Sequence, residues 1–331
     1  QLYTMIVAMA VVTTMIMPPT LRWMMGRVPL REDETRRLDT EEAERRQTLP
    51  HMERALVHVD ASPNGELMAS LAGLFAARQN VLTTLLEQTR DAGDSAAVLP
   101  GRERWLVAAW STTRNGQETS PAQTSGATAP SPYQLVQARA ASGDTLVKEI
   151  AKGYDIVLVG VGQPLSVTGP RFEEPLHGLV DAFDGPVAIV MNAAALPISP
   201  GAPLNILVPA EGRADTRLAT EIALTLAGAT RGGLTALHVF DPRENTLISG
   251  GRARRAGMSV LVDAHRLGKR GGVAVKGLTA TNLRPDIEIR RAVRRGQYDL
   301  VVLGASLRHG EAKFLGTRML ALVQSLPVPV L

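Results

Sequence analysis

Two rhythms of apolar residues alternate along the second half of the chain. Short unbroken apolar runs, such as "NILVP" and "YDLVVLGAS", are separated by longer stretches in which apolar residues recur every three or four positions. The runs predict strands over 204–209, 234–240, 273–278 and 298–304, with a closing strand at the end. The periodic stretches predict helices over 214–229, 251–268, 285–295 and 316–324. Strands that are apolar throughout are buried on both faces, and helices between them supply the crossovers of a parallel sheet. The expected fold class is α/β, a doubly wound parallel sheet.

The first half repeats this pattern. "ERALVHVDASPNGELMASLAGLFAARQN" (53–80) parallels "PLNILVPAEGRADTRLATEIALTLAGAT" (203–230), "AKGYDIVLVGVG" (151–162) parallels "RRGQYDLVVLGAS" (294–306), and "GPVAIV" (185–190) parallels "LPVPVL" (326–331). Three matches in one order indicate an internal duplication of domain size. The expected organisation is therefore two tandem domains, 53–196 and 203–331. A Gly-, Ser-, Thr- and Pro-rich insertion falls at about 111–132 in the first.

A different pattern opens the chain. No residue from Leu2 to Met17 is charged; Pro18 and Pro19 follow, then Arg22, Trp23, Arg27 and Arg31. The apolar run is slightly shorter than the roughly 20 residues of a membrane-crossing helix. Prolines stop a helix where headgroups or water can satisfy the freed carbonyls, and arginines beyond an apolar span favour the cytoplasmic side. Residues 1–25 are read as the end of a last transmembrane helix, placing the chain at the inner membrane with residues after about 25 in the cytoplasm. A signal peptide would carry its charges before the apolar region, and a buried helix of a soluble domain is the other alternative. Residues 26–52 alternate acids and arginines at helical spacings, as in Glu32 with Arg36 and Glu41 with Arg45, and read as a charged connector.

Composition narrows the chemistry. The 331 residues carry a formal net charge of +4, with arginines closely matched by carboxylates, which argues against a dedicated nucleic-acid partner. Cysteine is absent, which excludes disulfides, thiolate catalysis and cysteine-ligated metal. The histidines at 58, 177, 238, 265 and 309 form no metal-binding spacing. No nucleophile and base stand at motif spacing, so no enzyme is expected.

Ligands of doubly wound sheets sit beyond the C-terminal ends of the strands, where helix N-termini offer free N–H groups. In "LGASLRHGEAKFLGTRML", Gly304 follows a strand, Gly310 lies in the loop, and Gly316 with Thr317 opens the next helix. Ser306 and Thr317 can donate hydroxyls, and Arg308 and Lys313 can neutralise phosphate. Glycines are equally needed at such turns without any ligand. In the first half Asp60 ends the opening strand, where it serves either as an acceptor for a ribose or base or as a helix cap.

The alternation, the duplication and the "LGAS…FLGT" loop resemble tandem universal stress protein (UspA-like) domains. "MIVAMAVVTTMIMPPTLRW" with the acidic-basic stretch after it resembles the exit of the last membrane helix of bacterial Kef-like monovalent cation/proton antiporters, some of which carry such a tandem. That resemblance implies the cytoplasmic regulatory region of an antiporter exchanging Na+ or K+ for protons. Its partners would be the membrane, the transporter domain upstream in the same chain, the cation and proton it moves, and a second copy in a homodimer. The nucleotide-binding pattern of the stress proteins, Gly, two residues, Gly, nine residues, then Gly with Ser or Thr, implies ATP or another nucleotide as ligand. On that pattern the first glycine is Gly304 and the last pair Gly316 and Thr317, while Leu307 occupies the middle glycine position and the spacing is one residue short. The family's Asp after the first strand matches Asp60, and Ala210 stands there in the second half. A nucleotide-binding universal stress protein standing alone is the alternative.

Overall fold

A computed structural model of the chain describes residues 52–87, 106–111, 113, 133–136, 143–166, 169, 171–174, 176–195, 202–244, 250–308 and 313–331. The expected membrane helix end at 1–25, the connector at 26–52 apart from Met52, and nearly all of the 111–132 insertion lie outside these residues. Among the described residues no helix is long and apolar enough to cross a membrane.

The apolar runs become parallel strands, except the closing run at 326–331, which contributes only bridges at Val330. The first sheet joins β1 (Arg54–Val59), β2 (Leu82–Glu87), β3 (Tyr133–Val136), β4 (Ile156–Gly160) and β5 (Val187–Ile189) in the order β3-β2-β1-β4-β5. The second joins β6 (Asn205–Pro209), β7 (Gly233–Phe240), β8 (Ala274–Thr281) and β9 (Leu300–Val301) in the order β8-β7-β6-β9. Leu56 sits in register with Thr84 on one side and Val157 on the other, and Leu207 likewise with Thr235 and Val301. Val330 continues the second sheet through a parallel bridge to Val301. In both sheets the order reverses direction beside the opening strand, which makes its C-terminal end the switch point.

Helices among the described residues include α1 (Pro63–Gln79), α2 (Gly143–Ile150), α3 (Leu176–Ala182), α4 (Ala214–Thr230), α5 (Gly250–Gly271), α6 (Pro285–Arg295) and α7 (Thr317–Ser325). α1 and α4 have the same length, 17 residues. Both end on a residue in the left-handed region, Asn80 and Arg231, each at φ 55°. α1 begins cleanly because the Ser62 hydroxyl accepts from the Gly65 N–H at 3.2 Å and Pro63 needs no donor in the first turn.

These two helices are apolar on more than one face, and the packing explains why. α1 lies on its own sheet and also against α4, so Leu71, Phe75, Ile222 and Leu226 belong to one apolar core running through both halves. Burying each such side chain contributes about 1.5–3 kcal/mol. The Gln79 side-chain amide donates to the Thr225 hydroxyl at 2.9 Å, and the Arg78 guanidinium to the Gly271 carbonyl at 2.7 Å. The terminal strands close the junction: Met191 and Val330 form an antiparallel bridge, with N–H to O distances of 2.8 and 2.9 Å in the two directions.

Candidate functional site

At the first switch point the chain satisfies itself. Asp60 follows β1, and one carboxylate oxygen accepts from the Ser62 N–H at 3.0 Å and from the Ser62 hydroxyl. The other accepts from the Gly162 N–H at 2.8 Å, tying the end of β1 to the loop after β4. The helix cap is therefore Ser62, and the expectation that Asp60 might cap α1 is corrected: two residues earlier, its carboxylate reaches across the sheet end instead. Buried Asn64 completes the closure. Its amide donates to the Val161 carbonyl at 2.8 Å and its side-chain oxygen accepts from the Ala193 N–H at 3.0 Å. A hollow of about 300 Å³ remains, lined by Ser62, Asn64, Gly162, Asn192 and Gln324 among others.

The second switch point is built on the same plan with different polar groups. Asp215, in the first turn of α4, accepts from the Thr216 N–H through one oxygen and from the Ser306 hydroxyl through the other, both at 2.9 Å. Gly304 lets β9 end directly against α4, since a Cβ there would stand 2.4 Å from the Asp215 carbonyl oxygen. α4 has no side-chain cap at Arg213, where only the Thr216 N–H is taken, by Asp215, and α7 has no side-chain cap at Gly316. Register corrects one expectation: Leu207 takes the place of Leu56, so Glu211 rather than Ala210 stands where Asp60 stands in the first half. Ala210 bonds through its own backbone, its N–H donating to the Leu237 carbonyl and its carbonyl lying 2.7 Å from His238 Nδ1.

The sequence-selected residues distribute unevenly. Gly304, Ser306, Arg308, Gly316 and Thr317 belong to the second switch point, where the Arg308 guanidinium lies 3.3 Å from where a Gly316 Cβ would be. Ser306, Arg308 and Thr317 are exposed. Asp60 belongs to the other sheet and to a separate mouth. Gly310 lies outside the described residues. Lys313 is turned away from the glycine loop: its ammonium donates to the Val180 and Phe183 carbonyls at 3.0 and 3.4 Å, and Asp184 lies 3.7 Å away. Its charge thus meets the C-terminal end of α3, where the helix dipole favours a cation, and its N–H donates to Asp181 at 3.1 Å.

Between the halves, below the glycine loop, an apolar hollow of about 480 Å³ is lined by residues such as Phe172, Phe183, Ile222, Ser306, Leu315 and Lys313. Its size suits a small organic molecule. Asn64 and Asp215 are the polar residues that sequence reasoning passed over. The only available signal was their shared place, in the first turn after each opening strand.

The shifted ionisable groups hold structure. Glu149 is buried, which opposes its charge, yet hydrogen bonds from Lys152 at 2.5 Å and Tyr154 at 2.9 Å, with the Lys152 and Arg54 charges, keep its carboxyl below the ordinary range. Burial and the neighbouring Glu149 push the Tyr154 phenol up. Asp286 is held low against partial burial by Arg284 and Arg290. Among the described residues no cluster of side chains suits a metal ion.

Residues 204–331 match the universal stress protein family and form a UspA-like domain. No curated protein matches the chain in sequence. Among solved structures, a universal stress protein from Archaeoglobus fulgidus DSM 4304 is similar over 84% of this chain and 96% of its own, at 14% identity and a TM-score of 0.52. A protein from Pseudomonas aeruginosa UCBPP-PA14, described as a universal stress protein, is similar over 84% of this chain and 92% of its own, at 15% identity and a TM-score of 0.50. At these identities the likeness establishes the fold, which has parallel sheets of the stress-protein kind.

Proposed function

We propose, with the UspA-like domain at residues 204–331 as the premise, that residues 53–331 are a tandem UspA-like module regulating a monovalent cation/proton antiporter. The observation that carries the reading is the weld between the halves. The α1–α4 core and the Met191–Val330 bridge make the two sheets one body, so a ligand that alters one mouth acts on both halves. Such a body works by binding rather than catalysis. ATP or another nucleotide is the ligand, and the second mouth takes it, because Asp60 in the first is already engaged by Ser62 and Gly162. The apolar opening of the chain, its prolines and the arginines after them support attachment to the inner membrane, with the module in the cytoplasm. The carboxylates that carry Na+ or K+ and the proton would belong to the transporter part.

Two measurements test this reading. ATP titrated onto the chain is expected to bind, and Gly316→Val, which drives a side chain against Arg308, is expected to abolish binding. Unchanged affinity in that variant would remove the second mouth. Everted membrane vesicles from cells expressing the gene that encodes this chain are expected to exchange K+ or Na+ for protons, with a nucleotide response lost when residues 203–331 are deleted. Vesicles without exchange activity would end the antiporter reading.

The similar Archaeoglobus protein is matched over 96% of its own length, so two sheets of this kind can make up nearly a whole protein. That observation favours the second reading, a nucleotide-binding stress protein standing alone. It predicts that the expressed gene product is recovered outside the membrane fraction.

A further inference from the structure

α5 is the long helix on the outside of the second sheet, and its outward side gathers cations around two exposed apolar side chains. At about 100° per residue, Arg254, Met258, Lys269, Val262, Arg255 and Arg266 fall within one arc of about 120°. All six are exposed, Met258 at 45% and Val262 at 47%. The two apolar side chains stand at the middle of the arc with cations on both sides, and the only further ionisable residue within it is His265. Asp263, the helix's acid, points out of the arc and is half-buried. The inward side is fixed by packing, with Leu261 and Ala264 in an apolar cluster with Ala236 and Gly257 closed against His238 and Phe240.

Several arginines of the second half meet acids close by: Arg284 and Arg290 pair with Asp286, and Arg291 with Glu288 at 2.7 Å, while Arg294 and Arg295 at the end of α6 have no ion pair among the described residues. Arg213 and Arg217 likewise meet Glu211 and Glu221. Among the described residues, Arg254, Arg255, Arg266 and Lys269 have no ion pair. Four uncompensated cations around a pair of exposed aliphatic side chains need a partner that supplies both anions and an apolar layer. A nucleic acid supplies phosphate but offers aliphatic side chains little, and this arc carries no aromatic residue for stacking. An anionic lipid surface supplies both, with headgroups for the cations and the acyl boundary for Met258 and Val262.

We propose that the outer face of α5 docks on an anionic membrane surface, with Arg254, Arg255, Arg266 and Lys269 on lipid phosphates and Met258 and Val262 inserted between headgroups. The docking would hold the second sheet beside the bilayer, independently of what the module binds at its mouths.

The test uses the chain's lack of cysteine, which makes a single introduced thiol a unique label. The full chain carrying Val262→Cys with an environment-sensitive fluorophore is mixed with vesicles of phosphatidylcholine alone or with added phosphatidylglycerol. A blue shift is expected with the anionic vesicles only, reversed when salt is raised to about 0.5 M, where surface charges are largely screened. Each lysine or arginine near such a surface is worth roughly fivefold in partition, so Arg254→Gln, Arg255→Gln, Arg266→Gln and Lys269→Gln together should weaken the anionic response by about a hundredfold or more. The four sites are exposed, and circular dichroism checks that the variant stays folded. Because the label reports α5 alone, insertion of the apolar Leu2–Met17 segment into neutral vesicles would leave it silent. No shift with anionic vesicles, an equal shift with neutral ones, or a shift given by double-stranded RNA in place of vesicles would each overturn the proposal.

Discussion

Asn64 and Asp215 stand at equivalent places in the two halves, each with its backbone carbonyl pressed against a glycine, Gly160 at the end of β4 and Gly304 just beyond β9. The side chains then diverge. The Asn64 amide can both donate and accept, and it bridges Val161 and Ala193 beside the hollow of the first mouth. The Asp215 carboxylate can only accept, and it takes the Ser306 hydroxyl and the Thr216 N–H, leaving the carbonyl edge of its loop unbridged. One change from amide to carboxylate goes with two differently closed mouths in a duplicated fold.

Exchanging the two groups should therefore be unequal in effect. Asn64→Asp sets a buried carboxylate against the Val161 carbonyl and is expected to destabilise by about 2–3 kcal/mol. Asp215→Asn keeps an acceptor for Ser306 in a partly exposed place and should change stability by less than about 1 kcal/mol. Urea unfolding midpoints of the two variants check both values.

Gly304→Ala should be costly and Gly251→Ala should not. The added methyl at 304 meets backbone atoms, Asp215 O at 2.4 Å and Thr216 Cα at 2.6 Å, so helix and strand must part; overpacking of this kind costs about 1–3 kcal/mol. At 251, in the first turn of α5, nothing lies within 4 Å, and alanine should stabilise by about 0.5–1 kcal/mol. Thermal midpoints moving in opposite directions would confirm the pair of expectations.

Asp60→Ala leaves the Gly162 N–H and the Ser62 donors without their acceptor. A loss of about 1–3 kcal/mol is expected, together with faster amide exchange at Gly162. Exchange unchanged at that amide would show that the carboxylate does not hold the loop.

Acid should act through Glu149. Its carboxyl is held below the ordinary glutamate value in the folded chain, so its contribution is complete above that ordinary value and is lost as pH falls through the folded one. Lys152→Met removes the hydrogen bond and charge that outweigh burial. The acid-unfolding midpoint, followed by circular dichroism, is expected to move to higher pH, and a midpoint left in place would refute the coupling.

Most of the second half was legible in the sequence because its signals are local. The 285–295 helix matches its apolar and charged period residue for residue, and the expected 214–229 helix runs one residue further. The expected 298–304 strand shrinks to Leu300–Val301, since ladder pairing with β6 ends where Gly304 turns against α4. The candidate loop was legible as a glycine-spaced turn. The direction of Lys313 was not: the carbonyls that hold its ammonium belong to Val180 and Phe183, 133 and 130 positions away along the chain.

By itself the sequence determined the α/β alternation, its recurrence in both halves, the positions of the turns and the charge of each helix, because these follow from periodicity and residue type within short windows. Only the tertiary structure decided that α1 and α4 share one core, that Asp60 and Gly304 serve separate mouths, and that, among the described residues, Arg254, Arg255, Arg266 and Lys269 of α5 meet no acid while Arg290 and Arg291 of α6 do. Each of those facts depends on which distant groups meet, and a pattern of apolar positions encodes that a face must be covered without encoding what covers it.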